Sequence, residues 1–213
     1  PYTTLFRSLA DCIYSKDITP APSLLLVSIA LVYLLLAPFA VFYYGYYVEM
    51  DTGMRALAIA NLYLVSLIWI VSVYVSALRD YKSITRAFFL GMLLAVALSQ
   101  SLPPVFGDGS LMVCFNLGLA WIAFSLLGRV FTEYPYMLVQ KLGLRKSFIK
   151  YWDLAACGVF YNLAIWIDKC MMWVFAPQAV TLANKMTYYP HYDSAMFLAY
   201  LTVIPTMAIF IFS

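Results

Sequence analysis

Six apolar runs, at about 23–47, 54–78, 86–103, 110–131, 154–175 and 194–213, set the limits on what this chain can fold into. The hydrocarbon core of a bilayer is about 30 Å thick, and crossing it takes roughly 20 residues of helix. The third run is the shortest and stops at Pro103-Pro104. All six are continuous rather than alternating, which points to helices and away from the strands of an outer-membrane barrel. Composition agrees: 65% of the 213 residues are hydrophobic, 11% are charged, and the mean hydropathy is +0.87, far from an average soluble domain. The expected fold class is all-α, a polytopic integral membrane protein with six transmembrane helices.

Lysine and arginine collect on one side of these spans. With strict alternation, Lys16, Arg79, Lys82, Arg86, Arg129, Lys141, Arg145, Lys146 and Lys150 fall on one face of the membrane, against Arg55 and Lys185 on the other. Cytoplasmic loops carry the excess, so the N-terminal flank is expected in the cytoplasm, with Glu49, Asp51 and Asp108 outside. The count leaves out Pro1–Ser8, which lacks a start methionine and reads like the translation of a sequencing adapter; it is set aside as a scar. Ser213 closes the chain straight out of an apolar run, and the expectation is an internal stretch of a longer protein.

Residues 132–153 form a long basic and aromatic connection between the fourth and fifth spans. Such a segment lies on anionic headgroups, at about 1 kcal/mol per basic residue, or links two helix bundles, and both hold at once. On that reading residues 9–131 are the end of one bundle with four spans, and 154–213 the start of a second with two.

The net charge of +3 comes with no basic stripe, so no nucleic acid is expected as a partner. Cys12, Cys114, Cys157 and Cys170 have no C-x-x-C spacing and His191 is the single histidine. No metal site, redox site or cofactor is expected, and the cysteines read as small hydrophobes; a Cys114–Cys170 disulfide stays open. There is no glycine-rich phosphate loop and no H-E-x-x-H or G-x-S-x-G pattern, so no catalytic residue is assigned and an enzyme is not expected. Aromatic clusters at Phe42–Tyr47 and Tyr188–Tyr192 suit interfacial belts, and the second, beside Asp193, also suits a sugar-stacking surface. Pro38 and Pro205 fall inside spans, where each frees a carbonyl (Leu34, Leu201) and is expected to kink its helix.

One span carries adjacent charges, Asp168 and Lys169. Ionisable groups at such depth cost a few kcal/mol and usually face a bundle interior or a wet cavity. Asn162, Trp166, Lys169 and Trp173 follow at steps of four, three and four, which places the ammonium between two indoles on one stripe. Tyr161 and Asp168, seven apart, share the adjacent stripe. The lysine is long enough to snorkel outward or to meet an acid on another helix. Asp168 is shorter and reads as a polar-path or interhelix residue. The candidate site residues are therefore Asp168, Lys169, Asn162, Trp166 and Tyr161.

The run Tyr161-N-L-A-I-W-I-D-Lys169, followed by Tyr192-D-S-A-M-F-L-A-Y-L-T-V-I-Pro205, resembles the PelG family of exopolysaccharide exporters. That family sits in the multidrug, oligosaccharidyl-lipid and polysaccharide exporter superfamily. The resemblance extends from Leu9 to Ser213, with D-C-I-Y-S-K-D near the start. It implies a 12-helix transporter of two bundles, with the present spans as helices three to eight and the helix of Asp168 lining the cavity. It also implies a bacterial inner membrane location and export of a hexosamine-rich Pel-type polysaccharide for biofilm matrix. The partners it implies are a cytoplasmic glycosyltransferase and a cyclic-di-GMP-binding membrane protein. A multidrug or lipid-linked-oligosaccharide flippase of the same superfamily, and a non-transporting scaffold for a glycosyltransferase, are the alternatives.

Overall fold

Hydrocarbon forces each apolar run into a helix that closes its own backbone hydrogen bonds. The computed structural model describes residues 14, 21–101, 109–134, 152–182 and 185–212, except for the side chains at 154, 155, 182 and 203–212. The segment set aside at 1–8 and most of the connection at 132–153 lie outside the described residues. In order, the elements are α1 (Ala21–Ala40), which runs on as a π-helical stretch Val41–Tyr47, then α2 (Thr52–Ala77), α3 (Tyr81–Ser101), α4 (Ser110–Glu133) and α5 (Trp152–Phe175). A short strand pair, β1 (Val180–Leu182) and β2 (Met186–Tyr188), precedes α6 (Pro190–Phe212). Ala21–Tyr47, α2, α3 and α4 are each long and apolar enough to cross a membrane. The chain is an all-α polytopic membrane protein.

Two ends differ from the apolar runs for the same physical reason: hydropathy reports depth in lipid, whereas a helix starts where its first amides find acceptors. Helix α3 begins at Tyr81, ahead of the run at 86, because Asp80 caps it, accepting from the Ser83 amide at 3.2 Å and the Ser83 hydroxyl at 2.6 Å. Helix α6 begins at Pro190, ahead of the run at 194. Proline suits a first helical position, and the Asp193 carboxylate reaches back to the Tyr189 amide at 3.2 Å while the Tyr189 carbonyl accepts from the Asp193 amide at 2.9 Å. Pro38 lies inside α1, and the wider π-helical winding begins three residues later. Pro205 lies within α6, among residues whose side chains are not described. The connection between α5 and α6 holds the strand pair. Its β-branched and aromatic residues pair antiparallel, with Val180 opposite Tyr188 and Thr181 opposite Thr187.

The chain divides into two units, Pro1–Tyr46 with Met50–Gly158, and Tyr47–Glu49 with Val159–Ser213. In the first, Leu25 of α1, Val71 and Val75 of α2, and Ile122, Leu126 and Val130 of α4 are almost wholly buried. Polar pins fix the register. The Asn61 amide donates to Asn116 Oδ1 at 2.9 Å, and Asn116 Nδ2 donates to the Leu57 carbonyl at 2.9 Å. Such interhelical bonds are worth about 0.6–2 kcal/mol in membranes. Tyr33 donates to the Tyr63 carbonyl at 3.0 Å, with the two rings 4.6 Å apart, and ties α1 to α2.

Helices α3 and α4 touch through their backbones. A Cβ on Gly118 would stand 2.5 Å from the Gly91 carbonyl oxygen and 2.8 Å from the Ala95 Cβ. Small residues allow this approach, and dispersion then holds it. At the turn between α2 and α3, Arg79 takes a left-handed φ of 58°, with the Asp80 amide bonded to the Val75 carbonyl and the Arg79 amide to the Ser76 carbonyl. This is a Schellman ending with arginine where glycine is usual. Asp80 also receives Arg129 at 2.8 Å, and Arg129 reaches Glu133 at 2.8 Å, so the turn is fastened to the end of α4. Cys114, Cys157 and Cys170 are free thiols.

Two outcomes follow for the full-length protein in detergent. Gly118→Ala is expected to lower the thermal midpoint by several degrees, since overpacking costs about 1–3 kcal/mol. Gly128→Ala, where no atom lies within 4 Å, is expected to be neutral or stabilising, and equal behaviour of the two would deny the close approach its importance. The hydrogen bond from Ser83, then that from Arg129, hold Asp80 at about 2. Its folded pKa lies below the unfolded value of about 3.9, so its contribution is whole above that value and fades as pH falls from about 4 to 2. Thermal midpoints measured from pH 5 to 2.5 should fall more steeply for the wild type than for Asp80→Asn.

Candidate transport-path site

Helix α5 ends at Phe175 because Ala176 precedes Pro177, which disfavours helical geometry at the residue before it. The strand pair then returns the chain so that the first turn of α6 meets the last turns of α5. Lys169 lies 5.4 Å from the centroid of Trp166 and 5.1 Å from that of Trp173, so its ammonium is held between the two indoles. It also pairs with Asp193 Oδ1 at 3.2 Å, with both side chains about one-fifth exposed. The Trp173 indole N–H donates to both Asp193 oxygens, at 3.1 and 3.3 Å. Tyr189 donates its hydroxyl to Gln178 Oε1 at 2.6 Å and meets His191 edge-on.

Asp193 thus has two tasks, closing the start of α6 and neutralising Lys169. It stands ahead of the apolar run of α6. Partial burial pushes its carboxyl up, but the hydrogen bonds from Lys169, Trp173 and the Tyr189 amide outweigh that and hold it below the usual range. A carboxylate offers about four acceptor positions; those of Asp193 are taken.

Asp168 is different. It is exposed, and among the described residues it has no hydrogen bond or ion pair. It points about 100° away from Lys169, on the stripe of Tyr161, which is 69% exposed. Asn162 and Trp166 are exposed on the other stripe, with Trp166 engaged by Lys169. Of the five candidates the structure therefore joins Trp166 and Lys169 in one cluster and leaves Asp168 and Tyr161 outside it. Lys169 does not extend alone to the interface. Asp193 and Trp173 are the residues that the candidate set lacked. The signal for Asp193 was an acid in the first turn after an in-helix lysine and tryptophan, hidden because the pairing crosses the strand pair. Among the described residues no group of three or more His, Cys, Asp or Glu side chains is placed to hold a metal ion.

The family model described as PelG, exopolysaccharide exporter (EPS-E), matches residues 2–213. The chain belongs to this family. No curated protein and no solved structure was found to match it. Family membership supports a role in polysaccharide export across a membrane.

The lock and the free acid separate experimentally. Lys169→Met and Asp193→Asn should each destabilise the full-length protein by up to about 1 kcal/mol, by leaving a half-buried partner unpaired. The double variant should recover part of the loss, with a coupling of up to about 1 kcal/mol in a double-mutant cycle. Additive losses would mean that the two side chains do not act as a pair.

Proposed function

We propose that the chain is part of an inner-membrane transporter that moves a Pel-type exopolysaccharide out of the cytoplasm for biofilm matrix. The observation that carries this reading is the family match over residues 2–213. On this reading six helices span the membrane, the N-terminal flank is cytoplasmic, and residues 132–153 link two bundles of a 12-helix transporter. The basic side of the α2–α3 turn and the lengths of α5 and α6, 24 and 23 residues, support it. A cytoplasmic glycosyltransferase and a cyclic-di-GMP-binding membrane protein are the partners that the family resemblance suggests.

In this mechanism α5 lines the polymer's path. The Lys169–Asp193 pair and its two indoles hold the mouth of α5 and α6 in register, with Tyr189, Gln178 and Trp166 offering stacking faces and amide contacts to sugar rings. Asp168, with acceptor capacity to spare, meets the hydroxyls or amines of the passing chain or carries a proton. Asn162 adds a hydroxyl partner and Tyr161 a further stacking face.

Asp168→Asn in the full-length protein is expected to reduce secreted polysaccharide several-fold at unchanged abundance in the membrane, scored by matrix binding and immunoblot. Normal secretion with normal abundance would take Asp168 out of the path. Lost abundance would assign it to folding instead.

A further inference from the structure

A groove of about 340 Å³ opens on the first unit between α2 and α3, with Leu119 of α4 at its floor. On α2 its lining follows one stripe, Val65, Ile68, Ser72 and Ser76, and on α3 it uses Ile84 and Phe88. Trp69, 67% exposed, and Phe88, 37% exposed, stand on its two sides. Eleven residues separate Val65 from Ser76, so the groove runs about 16 Å along α2 at 1.5 Å per residue. That is about half the hydrocarbon thickness, the depth of one leaflet.

One polar atom in it is unaccounted for. Ser28 and Ser66 satisfy their hydroxyls on the carbonyl four residues back, Leu24 at 2.5 Å and Leu62 at 2.7 Å. Ser72 Oγ is buried and has no hydrogen-bond partner. The hydroxyl is closed off in this rotamer, and a rotation about χ1 would bring it to an acceptor supplied by an occupant of the groove.

The charge at the groove's end is lopsided. Arg79 and Lys82 follow Ser76 within six residues and are exposed, as is Arg86. The carboxylates nearby, Asp80 and Glu133, are both engaged by Arg129. Four cations thus stand against two acids, with three of the cations facing outward.

We infer that this groove is a binding site for an anionic phospholipid of the leaflet at the basic end of the bundle. One acyl chain lies along Val65–Ile68 under Trp69 and Phe88. The ester carbonyls reach Ser76 and Ser72, and the phosphate meets Arg79 and Lys82. The volume fits the upper part of one acyl chain, not a whole lipid. A docking helix fits less well, because Trp69 and Phe88 project on both sides of the opening and a helix brings no free acceptor to Ser72. The site depends on membrane embedding alone and stands whether or not the polysaccharide reading holds.

The test uses full-length protein in nanodiscs of mixed phosphatidylglycerol and phosphatidylcholine, with retained lipid counted by native mass spectrometry. One phosphatidylglycerol should survive activation that strips phosphatidylcholine. Ser72→Leu, which fills the groove and removes the orphan, should weaken retention about tenfold, and Lys82→Gln should reduce the preference for the anionic lipid several-fold. Should Ser72→Leu fail to fold, a photo-reactive amino acid substituted for the exposed Trp69 still decides, since it should cross-link to phosphatidylglycerol in preference to the phosphatidylcholine of the same disc, beyond their mixing ratio. Cross-links to another helix or a partner protein, unchanged retention in Ser72→Leu, or equal retention of both lipids would each overturn the site.

Discussion

A carboxylate at the start of a helix has more acceptor capacity than the helix uses, and that surplus can take a donor from a neighbouring helix. Both units of this chain are fastened by that surplus. Asp80 caps α3 through the Ser83 amide and turns its second oxygen to Arg129 of α4 at 2.8 Å. Asp193 closes α6 through the Tyr189 amide and turns to Lys169 of α5 at 3.2 Å. In each case one acid sets where a helix begins and which neighbour it meets. Helix dipoles add to the effect, since both carboxylates sit at helix N-termini.

The same economy explains why α3 sits where it does. Gly91, Ala95 and Gly118 let α3 and α4 approach until their backbones touch, whereas α3 meets α2 much less. Drawn to one neighbour, α3 leaves a gap beside the other. The groove lined by Ser72 and Phe88 is that gap. Asn61 and Asn116 hold α2 to α4 and keep the gap from closing by rotation of α2. Packing by small residues and pinning by amides therefore produce the groove together, with no cavity-lining motif needed in the sequence.

How much of this was legible in the sequence follows from which interactions are local. Four of the six expected spans were, because an apolar run is a property of consecutive residues. The stripe of Trp166, Lys169 and Trp173 was as well, because helical spacing alone brings those side chains together. What stayed hidden was every partner reached across a turn. Asp193 looked like one more acid in an aromatic loop, and the strand pair that delivers it is only three residues on each side. Asp80 drew no expectation, and its capping of α3 sets the helix start five residues ahead of the apolar run. The π-helical winding after Pro38 was equally out of reach, since proline predicts a freed carbonyl but not how the next turn absorbs it.

Of the two charges on α5, the one that is satisfied and the one that is not make opposite demands on their surroundings. Lys169 and Asp193 cancel, and two indoles cover the ammonium, so this stripe tolerates a dry environment. Asp168 carries an uncompensated charge on the neighbouring stripe with Tyr161. Left against lipid, such a charge costs a few kcal/mol, and no donor within the described chain offsets it. On the proposed reading of α5 as a path-lining helix that cost disappears, because the stripe of Tyr161 and Asp168 then faces water and polymer. On the same reading Lys169 and Trp173 meet α6, and the other end of their stripe, at Asn162 and Trp166, borders the path. On that reading the helix is oriented by its own chemistry: the closed pair marks the contact with α6, and the open carboxylate marks the wet side.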